Sequence, residues 1–531
     1  MKLSLGLDFG TESVRALLVD LKGGEHGVGV SRYRHRQITG MLPGGSIQLP
    51  PEHAFQHPGD WMESACIATR QALRAAKTGA SSVIGVGVDF TSCTMLPTFA
   101  DGTPLCLTPR FSARPQAWPK LWKHHGAATQ AERMTDVAHQ RGEEFLNRYG
   151  GTIGLEWLFP KILETLETDP EVYEAADLWL EAGDWFVWQL VGGDPADLPR
   201  STCQAGYKGL WSARDGYPSA DYLAAVHPGL ANVVESKLRG RLVPPGVAAG
   251  SLEGALVPRL GLAKGTPVSA AIIDAHAGVP GAGADAPGTL VMVMGTSSCH
   301  MLNSEYSRDI RGVAGIVQDG ILPGYFGYET GQAAVGDALD WLRRVAGRRD
   351  FKKLGDEAKS IPVGSDGVLC MDWFNGCRTP LMNPHVKGSF SGLALHHGSG
   401  HLYRALMEGS ACGLRWIVET LRDGGVPVNR FIATGGLPHH NPLIVQIYSD
   451  MLGEPVTVHP SKQGPALGSA ILGALASGAF SDSSSAIHAM SAVPAGSGPI
   501  CKPDLKSRSG NDRLYQNYRA LGAQLSNRSI H

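Results

Sequence analysis

Two short turns in this 531-residue sequence combine glycine, hydroxyl side chains and a nearby acid. The first is Asp8-Phe9-Gly10-Thr11-Glu12-Ser13, between the apolar runs Leu3 to Leu7 and Val14 to Val19. The second is Gly295-Thr296-Ser297-Ser298, directly after Thr289 to Met294. Turns without bulky side chains let backbone N–H groups and hydroxyls point into one concavity, an anion nest of the kind that holds phosphate. Asp8 faces the same space and suits a hydrated Mg²⁺. The same residues are also ordinary turn chemistry. The recurrence of the turn, together with Gly435-Gly436 after a third apolar run, favours the phosphate reading. Asp274 ends the run Val268 to Ile273 and could accept a proton from a hydroxyl group. It could equally cap the helix that follows, and one residue can do both.

These residues need a scaffold of alternating strands and helices. Strands are predicted at 3–7, 14–19, 83–88, 268–273, 289–294, 431–434 and 456–458. Helical spacing appears at 61–76, 332–345, 402–421, 442–452 and 466–478. Residues 115–200 read as mostly helical, with 179–190 a clear case. Residues 23–57 and 201–250 read as irregular, and the tail beyond 480 as Ser/Ala/Gly-rich and then polar and helical. Strand, small turn and strand recur near residues 8 and 295, which predicts two α/β domains of related design, 1–285 and 286–531.

Composition narrows the function. Net charge is −2, so no basic excess exists for a nucleic-acid backbone. No apolar run approaches the ~18 residues of a membrane span, and Asp8 interrupts the first run too early for a signal peptide. The nine cysteines form no C-x-x-C pair, which predicts a reduced, cytoplasmic protein without a zinc site. Gly-Lys never occurs, so there is no P-loop. Gly281-x-Gly283-x-x-Ala286 fits a dinucleotide fingerprint but lacks the acidic residue that should follow, and close packing of small residues explains it equally well. The pairs His124/His125, His396/His397 and His439/His440 are unspaced for a metal and read as surface or loop residues. Glycine is conspicuous, with 68 residues or about 13% of the chain against a usual ~7%.

Gly6-Leu7-Asp8-Phe9-Gly10-Thr11, Gly295-Thr296-Ser297 and Gly435-Gly436 together resemble the actin-like sugar kinases. Glu156-Trp157-Leu158-Phe159-Pro160-Lys161-Ile162 and Gly388-Ser389-Phe390-Ser391-Gly392-Leu393 are similar to the two signatures of the FGGY carbohydrate kinases. Val88-Asp89-Phe90-Thr91-Ser92-Cys93, Leu121-Trp122-Lys123-His124-His125, Ala205-Gly206-Tyr207-Lys208, Tyr328-Glu329-Thr330-Gly331-Gln332 and Asn375-Gly376-Cys377-Arg378 resemble the members that act on L-ribulose. The D-x-G-G-G loop of actin and the heat-shock chaperones is absent from the second domain.

The resemblance implies two actin-like (ribonuclease H-like) α/β domains, a first that binds sugar and a second that binds ATP, with an interdomain active-site cleft that closes on substrate. It implies ATP-dependent, Mg²⁺-assisted phosphorylation of a ketopentose, with L-ribulose at its 5-hydroxyl expected and a place in L-arabinose breakdown. D-ribulose and D-xylulose are the alternatives, and a non-catalytic nucleotide-binding scaffold is a different class of reading. Asp274 would be the general base and, with Asp8, would face the metal. Thr91, Ser92, Leu96, Lys208, Asp274 and Glu329 would hold the sugar. Gly10, Thr11, Ser13, Gly295, Thr296 and Ser297 would line the phosphates, and Gly436 and Asn441 the adenosine. Gly331 and Gln332 would begin a helix whose amides favour an anion. The partners implied are the small sugar and ATP, without nucleic acid or membrane, and compatible with a homodimer.

Overall fold

The computed structural model describes residues 1–45, 47–348, 350–491 and 499–526. It divides into two compact units. The first comprises Met1–Asp285, Ile316–Gly327 and Gln463–Ala492; the second comprises Ala286–Gly315, Tyr328–Lys462 and Val493–His531.

In the first unit, β1 (Leu3–Phe9), β2 (Ser13–Asp20) and β3 (Glu25–Arg32) form an antiparallel meander. β4 (Val83–Phe90) lies parallel to β1, and Pro267–Ser269 and Ile272–Ile273 run parallel to β4. Every residue of β1 is buried, as expected for a strand covered on both faces. One cover is the helix Pro58–Ala75, whose Trp61 packs edge-on to Phe90 and Trp185. The other is the helix Gly464–Ala476. It approaches so closely that a Cβ on Gly6, Gly85 or Gly87 would stand about 2 Å from its carbonyl oxygens. Gly468 meets the carbonyl of Ala277 in the same way, on the helix Asp274–Gly281. A second apolar cluster, with Phe55, Trp118, Tyr149, Phe159 and Tyr222, is built around the helices between residues 128 and 237.

The second unit repeats the hairpin-plus-parallel-strand arrangement. Thr289–Met294 pairs antiparallel with Ser298–Ser304 and parallel with Arg430–Thr434, which in turn pairs with Val456–Val458. The 25-residue helix Ser399–Asp423 and the helix Pro442–Leu452 supply its core.

Several expectations need correction. Residues 23–57 include a regular strand, β3, whose buried Gly27 and Gly29 lie against the helix Pro58–Ala75. Residues 179–190 are not one helix: Leu178–Glu181 pairs as a strand with Met95–Thr98, and the helix starts at Ala182. Residues 201–250 contain the helices Thr202–Lys208, Ala220–Val226 and Val233–Lys237. A single division at 285/286 does not describe the chain, because Gly464–Ala476 packs into the sheet of the first unit. Of the tail, Ser483–Ser491 and Arg508–Ser526 are helical, while 492–498 and 527–531 lie outside the described residues.

Candidate active site

The parallel strands of the first unit end together. Asp8 on β1 is level with Asp89 on β4, and Ile273, just before Asp274, is level with Phe90. Three carboxyls therefore emerge at one sheet edge, where ligands of open α/β sheets bind. Burial raises the Asp89 carboxyl well above the carboxylate range, and the neighbouring Asp8 and Asp274 charges add to it. Asp8 is also raised by burial, opposed by Arg15, whose Nη1 lies 3.3 Å from Oδ2. Asp274 is pushed up to about 7, by burial first and by Asp8 second. Its Oδ1 accepts the amide N–H of Ala275 at 2.7 Å, so it opens its helix and keeps a second oxygen for other work.

The same edge can accommodate a divalent cation. Asp89 Oδ2 accepts from Ser469 Oγ at 2.6 Å, and the Asp89 and Asp8 carboxyls lie close enough to share a hydrogen bond. An all-oxygen donor set of mutually repelling carboxyls suits Mg²⁺, which would relieve the repulsion. Among the described residues, Asp8 and Asp274 are not part of any group of three close metal-ligand atoms. That fits contact through water better than a closed protein cage. Asp89 was not singled out by the sequence reading; its signal, an acid ending the run 83–88, is the same as that of Asp274.

Each of the two glycine–hydroxyl turns is closed by a bond from its glycine amide, across three residues in the first and two in the second. The Gly10 amide donates to the Ser13 carbonyl at 3.0 Å, and the Gly295 amide to the Ser297 carbonyl at 2.9 Å. Neither glycine has positive φ. A Cβ on Gly10 would meet only Ser13 O at 3.6 Å, and one on Gly295 only Ser297 O at 3.9 Å. Gly436 is equally open, with His440 at 3.9 Å. Among the described residues nothing closes on a side chain at these three places. Gly435 differs: its φ is +95° and a Cβ would strike Met294 O at 2.5 Å. Thr11 is fixed by Gln56 and by Trp122, whose Nε1 donates to Oγ1 at 3.1 Å. Asn441 makes no capping bond; its Nδ2 reaches Tyr403 Oη at 3.2 Å.

Gly331 and Gln332 do not begin a helix. They end the strand Phe326–Gln332, and the helix starts at Gly336. Gln332 is buried, with Nε2 donating to Asp372 and Ser410 O and with His300 at its Oε1. The first amides of the helix are already used: Gly336 N–H donates to Gly295 O and Asp337 N–H to Thr296 O. These bonds hold the Gly295 turn in place.

For the sugar residues, Thr91 and Thr94 share a hydroxyl–hydroxyl bond of 2.7 Å, and Ser92 is partly exposed beside them. Lys208 ends the helix Thr202–Lys208, buried with its ammonium 5.8 Å from the Trp157 ring centroid. Leu96 is completely buried in the apolar core, and its backbone pairs with Leu180, so no side-chain contact to a ligand is open to it. In the second unit Glu329 is buried and paired with Arg378 at 2.7 Å, a partner the sequence reading did not assign. The dinucleotide reading of Gly281-x-Gly283 fails: the segment follows a helix rather than joining strand to helix. His124 is fully buried, contrary to expectation, with Nε2 2.8 Å from Glu164.

Residues 290–477 match the FGGY family of carbohydrate kinases, C-terminal domain. The chain is 43% identical over 493 residues to a ribulokinase of Shouchella clausii, covering 90% of this chain and 87% of that one. It is 42% identical over 496 residues to a ribulokinase of Mycolicibacterium smegmatis, covering 91% and 87%. Among solved structures it is similar to a xylulose kinase from Rhodospirillum rubrum, with TM-score 0.81, 24% identity and 99% of each chain covered. A glycerol kinase from Plasmodium falciparum, solved with ADP, aligns with TM-score 0.78 and 16% identity over 99% of this chain and 98% of that one.

Proposed function

The chain belongs to the FGGY family of carbohydrate kinases, and on that premise we propose that it phosphorylates L-ribulose at the 5-hydroxyl, using ATP. The observation that carries the choice of sugar is the identity to ribulokinases, sustained over nine-tenths of the chain. Phosphoryl transfer asks little covalent chemistry of a protein; it asks for positioning and for stabilisation of charge. Asp274 accepts the proton of the sugar hydroxyl as its oxygen bonds the γ-phosphorus and the bond to the β-phosphate oxygen breaks. A carboxyl poised at about 7 suits that exchange near neutral pH.

Lys208 and Glu329 hydrogen-bond sugar oxygens, and Thr91 and Ser92 border them. Arg378 pairs with Glu329 and orients it. The Gly10–Ser13 and Gly295–Ser297 turns offer backbone donors to phosphate oxygens, and Gly436 and Asn441 receive the adenosine. Magnesium, when bound near Asp8 and Asp89, supplies neutralisation of phosphate charge. Among the described residues no helix is long and apolar enough to cross a membrane, and we assign the activity to the cytoplasm, where ATP is available. A coupled ADP-release assay with Mg-ATP tests the reading: L-ribulose should give the highest kcat/KM among the ketopentoses. Sugar-independent ADP release alone would remove it.

A further inference from the structure

We infer that Lys161 is a positioning residue for the sugar, acting through the backbone of the Thr91–Leu96 loop. This rests on the sugar-kinase reading above, since the loop is the one that borders Lys208.

The loop contains a conformation that a cysteine does not choose. Cys93 has φ +56°, in the left-handed region, which non-glycine residues adopt only when their surroundings impose it. The surroundings are explicit. Lys161 Nζ is completely buried and donates to Cys93 O at 2.6 Å and to Leu121 O at 3.0 Å. It therefore ties the strained residue to a neighbouring segment. That segment is itself fastened to the loop, because Met95 and Lys120 exchange backbone bonds of 2.9 and 3.1 Å. On the far side, the Ala182 amide donates to Thr94 O at 2.7 Å.

A buried ammonium is a costly tie unless something fixes it. The helix Leu158–Thr168 does so. Lys120 Nζ donates to Lys161 O, Glu164 Oε2 and Thr165 Oγ1, at 2.8, 2.8 and 2.7 Å. His124 bonds the same carboxylate, and His53 stands 3.7 Å from it. These two imidazoles and Glu164 lie close enough to hold a metal ion. Yet Nδ1 of both histidines is buried without a partner, where a metal-bound imidazole hands its second N–H to an acceptor. The Lys120 ammonium also already occupies the carboxylate. The group is a strut that holds the helix carrying Lys161.

The tests are Lys161→Met, which removes the tie, and Lys161→Gln, which keeps one donor. Loss of a charge-assisted buried bond corresponds to about 10- to 100-fold. KM for L-ribulose should rise by that amount in Lys161→Met, and by less in Lys161→Gln, while KM for ATP changes less than about twofold. Adding Cys93→Gly to either variant should recover part of the sugar affinity, because glycine takes positive φ without a clasp. If Lys161→Met is insoluble, Lys161→Gln with and without Cys93→Gly carries the comparison. Sugar affinity unchanged on losing the ammonium, equal changes for sugar and ATP, or no recovery with glycine would each overturn the inference. If the wild-type protein phosphorylates no ketopentose, the functional reading fails first, and independently of these variants.

Discussion

On the proposed reading Asp274 would carry the proton chemistry, and its surroundings set when it could. Its carboxyl is held at about 7, and the base form is the ionised one. So kcat/KM for the sugar should rise with pH at unit slope below about 7 and level off above it. Asp274→Asn should lower kcat by about 10²- to 10⁴-fold, remove that acid limb, and leave sugar and ATP binding within a few fold; turnover near the wild-type rate contradicts the role. Gly10 offers a complementary test, because a methyl group there meets no protein atom closer than 3.6 Å. Gly10→Ala should leave the thermal midpoint within about 1 °C yet raise KM for ATP about tenfold or more. Unchanged ATP binding would mean that the turn does not receive phosphate. At this scale the sequence was legible where one residue type has one strong use. An acid ending an apolar run marked Asp8 and Asp274. Asp89 ends such a run too, but its importance appears only when strand order sets it level with Asp8. Leu96 and Gln332 misled for the opposite reason: burial and side-chain partners, unreadable from spacing, had already engaged them.

Packing between elements accounts for glycines that lie far from the two turns. The helix Gly464–Ala476 touches β1, β4 and the helix Asp274–Gly281 backbone to backbone, and the contact exists because glycine faces glycine, alanine or serine there. Gly87→Ala places Cβ 1.8 Å from Ser469 O, and should cost about 3 kcal/mol or more in chemical denaturation. Gly40→Ala, at φ +77° with nothing within 4 Å, should cost about 1 kcal/mol from backbone strain alone. Equal costs would show that the close approach is not what glycine serves. The fold's periodic helices and its two hairpins were readable from pattern, as Pro442–Leu452 illustrates. β3 was not, because glycine at alternate positions erases the apolar signal while its absent side chains admit a helix. Nor was the return of Gly464–Ala476 to the first unit, since a contact such as Ser4 Oγ to Ala470 O, 466 positions apart, leaves no local trace.

At the scale of the whole molecule, buried acids couple stability to pH. Asp184 and Asp274 are pushed up to about 7 and Glu181 to about 8, chiefly by burial. The unfolded chain ionises these groups near pH 4. Between pH 6.5 and 8 the folded protein therefore holds protons that the unfolded chain has released, and stability falls as pH rises. The buried His124 and His300, lowered to about 3 and about 4 by burial, act in the opposite sense only below about 6.5. Denaturation of the unliganded protein at pH 6.5 and 8 should show a loss of about 1 kcal/mol per carboxyl; a gain would contradict the assignment. The same carboxyls become useful only if sugar and nucleotide arrive, which returns the question to the reaction itself. The most direct measurement is ADP release from Mg-ATP with each of the four 2-ketopentoses and glycerol, on wild-type protein and Asp274→Asn. The expected result is sugar-dependent turnover, highest kcat/KM for L-ribulose, lowered at least about 100-fold in the variant; no sugar-dependent ADP, or equal turnover by Asp274→Asn, would contradict it.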